Sequence, residues 1–136
     1  MEYEHYFDLE EEKMVLTQKH HRRPRSLKGS DDPSNISFVP PELHREWHIM
    51  FGNMNAIQIC QVINNYSWKP EDKILKCRFI NGSRVKKRGR GNSHKEQRCQ
   101  QAWDKMFKGL DFYQAINYIN SVWLDPSYHF YIRRKK

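Results

Sequence analysis

The sequence predicts a small α+β protein: a strand–loop–strand–helix unit near the start, extended by a tandem helical-hairpin repeat. Three observations carry that prediction. Two short runs with apolar and β-branched residues, MVLTQK (14–19) and NISFV (35–39), flank a stretch rich in Gly, Pro, Ser and Asp, as two strands joined by irregular chain do. A helix follows at once, because Trp47, Met50, Phe51 and Met54 fall at i, i+3, i+4 and i+7 and share one face. That pattern then recurs. An offset of 56 residues superposes Trp47 on Trp103, Met50 on Met106, Phe51 on Phe107, Gln58 on Gln114, Ile63 on Ile119, Asn64 on Asn120 and Pro70 on Pro126.

Residues 1–13 form an acidic segment in which Tyr3, Tyr6, Phe7 and Leu9 stand among six acids. This fits either a short helix docked through its aromatic side or a frayed terminus. Residues 14–51 make the strand–loop–strand–helix unit. Its first strand ends at the pair His20-His21. Pro24, Gly29 and Pro33, with Ser26, Ser30, Asp31, Asp32 and Ser34, make 22–34 a loop by turn chemistry. Asn35 heads the second strand, which Pro40-Pro41 stops while opening the helix, since proline is tolerated in the first helical turn.

Residues 52–77 complete the first repeat. Asn55 caps a second helix with the apolar face Ile59, Val62, Ile63, and the extended piece ILKCRFI follows. Residues 78–98 carry eight Lys and Arg, one acid and Gly82, Gly89 and Gly91, which reads as a solvated linker or a nucleic-acid-binding arm. Residues 99–136 are the second repeat: Asp111 caps a helix with the face Phe112, Ala115, Ile116, Ile119, and YHFYIRRKK ends the chain. The copies differ where chemistry is concerned, because His44 and His48 become Gln100 and Asp104. The second copy is therefore expected to pack against the first or to elaborate substrate binding. Tyr66, Trp68, Trp123, Tyr128 and Tyr131 read as core rather than as base-stacking platforms.

A chain of 136 residues fits one domain, or two very small ones sharing a core. No apolar stretch reaches the length of a membrane span, and MEYEHYFDLEEEK is no signal peptide, so a soluble cytoplasmic protein is expected. Cys60, Cys77 and Cys99 are odd in number and form no C-x-x-C pair, which reads as reduced thiols. The net charge of +8 hides an asymmetry: outside the first 13 residues, 23 Lys and Arg face 10 Asp and Glu. Such a surface attracts polyanions, nucleic acid above all.

The chemistry-bearing residues are His20, His21, Asn35, His44 and His48. Side chains at i and i+4 of a helix face the same way, so His44 and His48 can chelate one ion. Position 45 is Arg and Glu46 points elsewhere, so the H-E-x-x-H arrangement of zinc peptidases is absent. Taken singly, the helical His pair reads as a solvated or partly packed feature, and a simple turn residue is the alternative for Asn35.

Together, the stretch HHRRPRSLKGSDDPSNISFVPPELHREWH resembles the HNH (ββα-metal, or His-Me finger) nuclease motif, closest to the colicin and pyocin type that ends in H-x-x-x-H. The match spans 14–51, with a slightly shorter loop before the asparagine. The resemblance implies that His20, His44 and His48 hold one divalent ion, that His21 is the general base, and that Asn35 holds the loop that aims it. Three imidazoles suit zinc, nickel, cobalt or manganese better than magnesium, although many members have a carboxylate where His20 stands. It also implies hydrolysis of DNA phosphodiester bonds and a bacterial, phage or mobile-element origin. Arg22, Arg23 and Arg25 are then candidates to clamp phosphates, or else a charged loop in water, and Lys86, Lys87, Arg88 and Arg90 are candidates for the nucleic-acid backbone. RNA is a second partner class. The alternative function is a non-catalytic nucleic-acid-binding protein with a structural metal. The sequence is silent on oligomeric state.

Overall fold

Strand formation begins earlier than expected. The computed structural model, which describes residues 4–9, 13–66, 68–85 and 97–135, pairs β1 (Glu4–Leu9) antiparallel with β2 (Lys13–His21), Phe7 opposite Val15. Residues 4–9 of the acidic segment therefore form a strand rather than a helix or a frayed end: Tyr6 and Phe7 have strand propensity, and a neighbouring strand satisfies the backbone. β3 (Ile36–Val39) pairs on the other side of β2, with His20 opposite Ser37 and His21 opposite Ile36, giving a sheet of order β1-β2-β3.

The loop between β2 and β3 is tightly folded. It contains two 3-10 turns, Arg25–Leu27 and Pro33–Asn35, so Asn35 closes a turn rather than heading the strand. The Pro24 carbonyl accepts from both Leu27 N (2.8 Å) and Gly29 N (3.0 Å). At Gly29 the chain doubles back so closely that a Cβ would lie 1.8 Å from the Arg23 carbonyl oxygen.

α1 (Pro41–Phe51) starts after Pro40 as expected, and Gly52 ends it at φ 52°, its N–H donating to His48 O at 2.9 Å. α2 (Ala56–Asn65) opens on a reciprocal capping box between Asn55 and Gln58. β4 (Lys73–Phe79) follows. α3 (Gln97–Met106) leads to α4 (Phe112–Tyr118), whose capping box joins Asp111 and Gln114; a π-helical turn, Ile119–Trp123, continues it, and β5 (Tyr128–Arg134) comes last.

β4 and β5 form a separate antiparallel ribbon, Leu75 opposite Ile132 and Cys77 opposite Phe130. Each outer edge is closed by an asparagine. Asn64 donates to and accepts from the Leu75 backbone, both at 2.9 Å, and Asn120 does the same at Phe130, at 2.9 and 2.8 Å. The stretch 78–98 is thus not all linker: Arg78 and Phe79 belong to β4, and a turn brings Arg84 into a bridge with Arg78.

The core lies where α1 packs on α3. Trp47, Met50 and Phe51 of α1 meet Ala102, Trp103, Met106 and Phe107, with Val62, Ile63, Ile119 and Trp123 completing the cluster. Each large apolar side chain so buried contributes roughly 1.5–3 kcal/mol. Of the aromatics read as core, Trp123 is buried, and Tyr66, Trp68 and Tyr128 pack against the cluster, whereas Tyr131 stands outside it, its ring under the Arg78 guanidinium. Trp68 lies flat between Tyr66 and Trp103, at 4.2 and 4.3 Å between ring centres. The cysteines are free thiols, and burial pushes Cys77 up to about 12. No described helix is long and apolar enough to cross a membrane.

Candidate metal centre

Alternation along β2 turns Gln18 and His20 toward one face and Lys19 and His21 toward the other. α1 lies against the first of these faces and presents His44 and His48, one turn apart. Ring centres of His20 and His44 are 5.3 Å apart, His20 and His48 6.3 Å, His44 and His48 4.7 Å. One ligand atom from each lies within 4.8 Å of the others, so the three imidazoles form a group able to hold a metal ion. His44 Nε2 and His48 Nε2 are 3.1 Å apart. Two imidazole nitrogens bound tetrahedrally to one zinc ion stand about 3.3 Å apart, so this pair is already close to ligand spacing.

Partners outside the group fix its tautomers. His20 Nε2 lies 2.9 Å from the Trp123 carbonyl oxygen, which can only accept, so Nε2 carries the proton and Nδ1 the lone pair. His44 Nδ1 donates to Gln18 Oε1 at 3.1 Å, which leaves its Nε2 lone pair toward His48. Burial lowers His20 to about 3, His44 and His48 adding to that effect against the opposing Trp123 hydrogen bond. Burial also lowers His44 to about 4, helped by His48. Both are neutral at physiological pH, the form in which imidazole binds metal. His48 is exposed while His20 and His44 are buried, so the group opens to solvent on one side.

His21 is held separately. Its Nε2 lies 2.7 Å from Asp31 Oδ1, and Lys19 Nζ is 3.7 Å from the same oxygen. The hydrogen bond from His21, with the charge of Lys19 second, keeps the Asp31 carboxyl below the usual range. Asn35 fastens both ends of the loop. Its Oδ1 accepts from Arg23 N at 2.7 Å, and its Nδ2 donates to Ser30 O at 2.8 Å and Arg23 O at 3.2 Å. Its backbone carbonyl accepts from Arg22 N at 2.8 Å.

The arginines divide. Arg22 turns inward, Nε donating to Leu124 O (2.8 Å) and Nη2 to Asn120 O (2.6 Å). Arg23 pairs with Asp125, Nε to Oδ2 at 2.6 Å. Both tie the loop to the chain's second half. Arg25 is exposed and lines a cleft of about 200 Å³ together with His20, His21, His48 and Trp47. Lys86, Lys87, Arg88 and Arg90 lie outside the described residues.

Three contributors escape the sequence reading: Gln18, Asp31 and Trp123. Gln18 had a signal, since position i−2 on a strand shares the face of His20. Asp31 looked like an ordinary turn residue. Trp123 lies 103 residues from His20, and no local pattern points to its carbonyl.

No protein-family model, curated protein or solved structure matches the chain.

Proposed function

We propose that the chain is a metal-dependent endonuclease of the HNH type, hydrolysing DNA phosphodiester bonds, with residues 14–51 as its ββα-metal module and the helices beyond as a tandem repeat that buttresses it. The observation that carries this reading is a three-imidazole group, two of whose members, His20 and His48, line one cleft together with a fourth imidazole, His21, that is held by a carboxylate. Three protein ligands with one side open are the arrangement of catalytic rather than structural sites.

His20, His44 and His48 would hold the ion. When bound, it would supply charge stabilisation at the scissile phosphate and the departing 3′ oxygen. His21 does the proton chemistry. Donating its Nε2–H to Asp31 leaves the lone pair on Nδ1, the atom that takes a proton from the attacking water, while Asp31 offsets the charge that develops on the ring. Asn35 keeps the loop closed and so fixes Asp31 relative to His21. Arg25 faces the cleft with its charge available to a phosphate.

Incubating the protein with supercoiled plasmid, with zinc, nickel, manganese or magnesium and then with chelator, tests the reading. Metal-dependent nicking or linearisation is expected, and His21→Ala should lower the rate by about 10²- to 10⁴-fold while retaining metal binding. An intact plasmid under every metal sinks the nuclease reading and leaves a structural metal in a nucleic-acid-binding protein.

A further inference from the structure

The β4–β5 ribbon has two unlike faces. Leu75 and Phe130 are buried on the inner one. Residues opposite one another in an antiparallel pair share a face, so the outer face carries the pairs Ile74/Arg133, Lys76/Tyr131 and Arg78/His129. The bridge between Arg78 and Arg84 adds a further guanidinium beside it. No acid occurs among these residues. Arg78 lies over the Tyr131 ring, 3.8 Å from its centre, which holds the cation on the face rather than leaving it to sweep through solvent. Between this face and α2 runs a groove of about 740 Å³, lined by Lys76, Arg84, Tyr131 and Arg133 opposite Gln61. The Gln61 Oε1 atom is buried and has no hydrogen-bond partner.

Like charges gathered on one side of a thin ribbon repel one another, and the arrangement is relieved by a polyanion. We propose that this face and its groove bind the backbone of duplex DNA, at a surface separate from the metal centre. Spacing favours an extended polyanion over a compact one. Residues two apart on a strand advance about 6.7 Å, close to the axial rise of two nucleotides, about 6.8 Å, so Lys76 and Arg78 can follow every second phosphate of one strand. The proposal rests on the DNA-directed reading above but not on catalysis.

Fluorescence anisotropy with a labelled 20-base-pair duplex in chelator tests it, since cleavage is then silent. Lys76→Gln/Arg133→Gln is compared with Lys105→Gln/Lys108→Gln, which removes the same charge elsewhere, and melting curves confirm that both fold. The ribbon variant should bind at least tenfold more weakly, with a salt-dependence slope smaller by about 1.8; the control should stay within twofold of the parent. Equal losses in both variants, or none in the ribbon variant, overturn the proposal. So does tenfold tighter binding of a single-stranded RNA of the same length. Should Lys76→Gln/Arg133→Gln fail to fold, Arg133→Glu at the exposed end of β5 takes its place, with the same expected loss. A protein that binds duplex through the ribbon yet cuts under no metal overturns the nuclease reading alone, whereas one that cuts while the ribbon variant binds normally overturns this proposal alone.

Discussion

Gln18 shows how one side chain outside the imidazole group can orient a member of it. By accepting from His44 Nδ1 it forces the lone pair onto Nε2 and sets the ring plane. Gln18→Leu keeps the volume and removes the acceptor, so zinc affinity measured by calorimetry should fall about 10- to 100-fold while the fold persists; unchanged affinity would show that the Gln18 contact is incidental. Protonation makes a second demand on the same residues. His20 and His44 titrate near 3 and 4 in the folded chain against 6.5 when exposed, so between those values the unfolded state binds more protons. Stability without metal is therefore full above about pH 6.5 and declines as pH falls below it, at up to about 1.4 kcal/mol per pH unit from His20. Urea midpoints at pH 7, 6 and 5, where most carboxylates stay ionised, should drop in step. A flat profile would mean that His20 is not buried neutral. The imidazole group was legible in the sequence because i, i+4 spacing and a His pair at a strand end are local patterns. Its supporting acceptors were not, since Asp31 resembles any turn acid and a backbone carbonyl from Trp123 leaves no trace in residue type.

Between β2 and β3, irregular chain does the work of positioning, and it depends on one close approach. Gly29 sits where any Cβ would strike the Arg23 and Pro24 backbone, atoms that cannot swing aside as a side-chain tip can. Gly29→Ala should accordingly push the loop outward, stretch the Asn35 bonds to Ser30 and Arg23, and cost about 1–3 kcal/mol. Thermal melts measure that cost, and the substitution should slow plasmid cleavage more than it weakens zinc binding, because Asp31 rides on the loop and the three imidazoles do not. Equal effects on both would place the loop and the ligand group in one unit. The elements themselves were readable where caps and periodicity act locally: Pro40-Pro41, Asn55 and Asp111 all mark helix starts. β1 was missed because acids interrupt its apolar residues, and the pairing of β4 with β5 is invisible in either strand alone.

At the scale of the whole molecule, the end of the π-helical turn is the joint between the two parts of the chain. Helix ends leave carbonyls without intrahelical donors, and here side chains from the first forty residues supply them: Arg22 donates to Asn120 and Leu124, Ser37 to Val122, and His20 to Trp123. Arg22 is also a cation at the negative end of that helix, a favourable placement. Around this joint Trp47 stacks on Trp123 at 5.2 Å, so the face of α1 that positions His44 also forms the seam with the second half. The stretch 14–51 is then incomplete as a folding unit, although it contains all three imidazoles of the group able to hold a metal ion. A fragment ending at residue 85 loses α3, α4, the π turn and β5; it exposes Trp47, Met50 and Phe51, strands β4 without a partner, and leaves the Arg22 guanidinium with no carbonyls. Loss of a few such buried side chains, each contributing about 1.5–3 kcal/mol, matches the whole stability of a small domain. The fragment should lack a cooperative melt by circular dichroism and bind zinc at least 100-fold more weakly than the full chain, despite retaining all three histidines. Full-strength binding by that fragment would mean that the seam with Trp123 is dispensable and that the ligand group is organised by β2 and α1 alone.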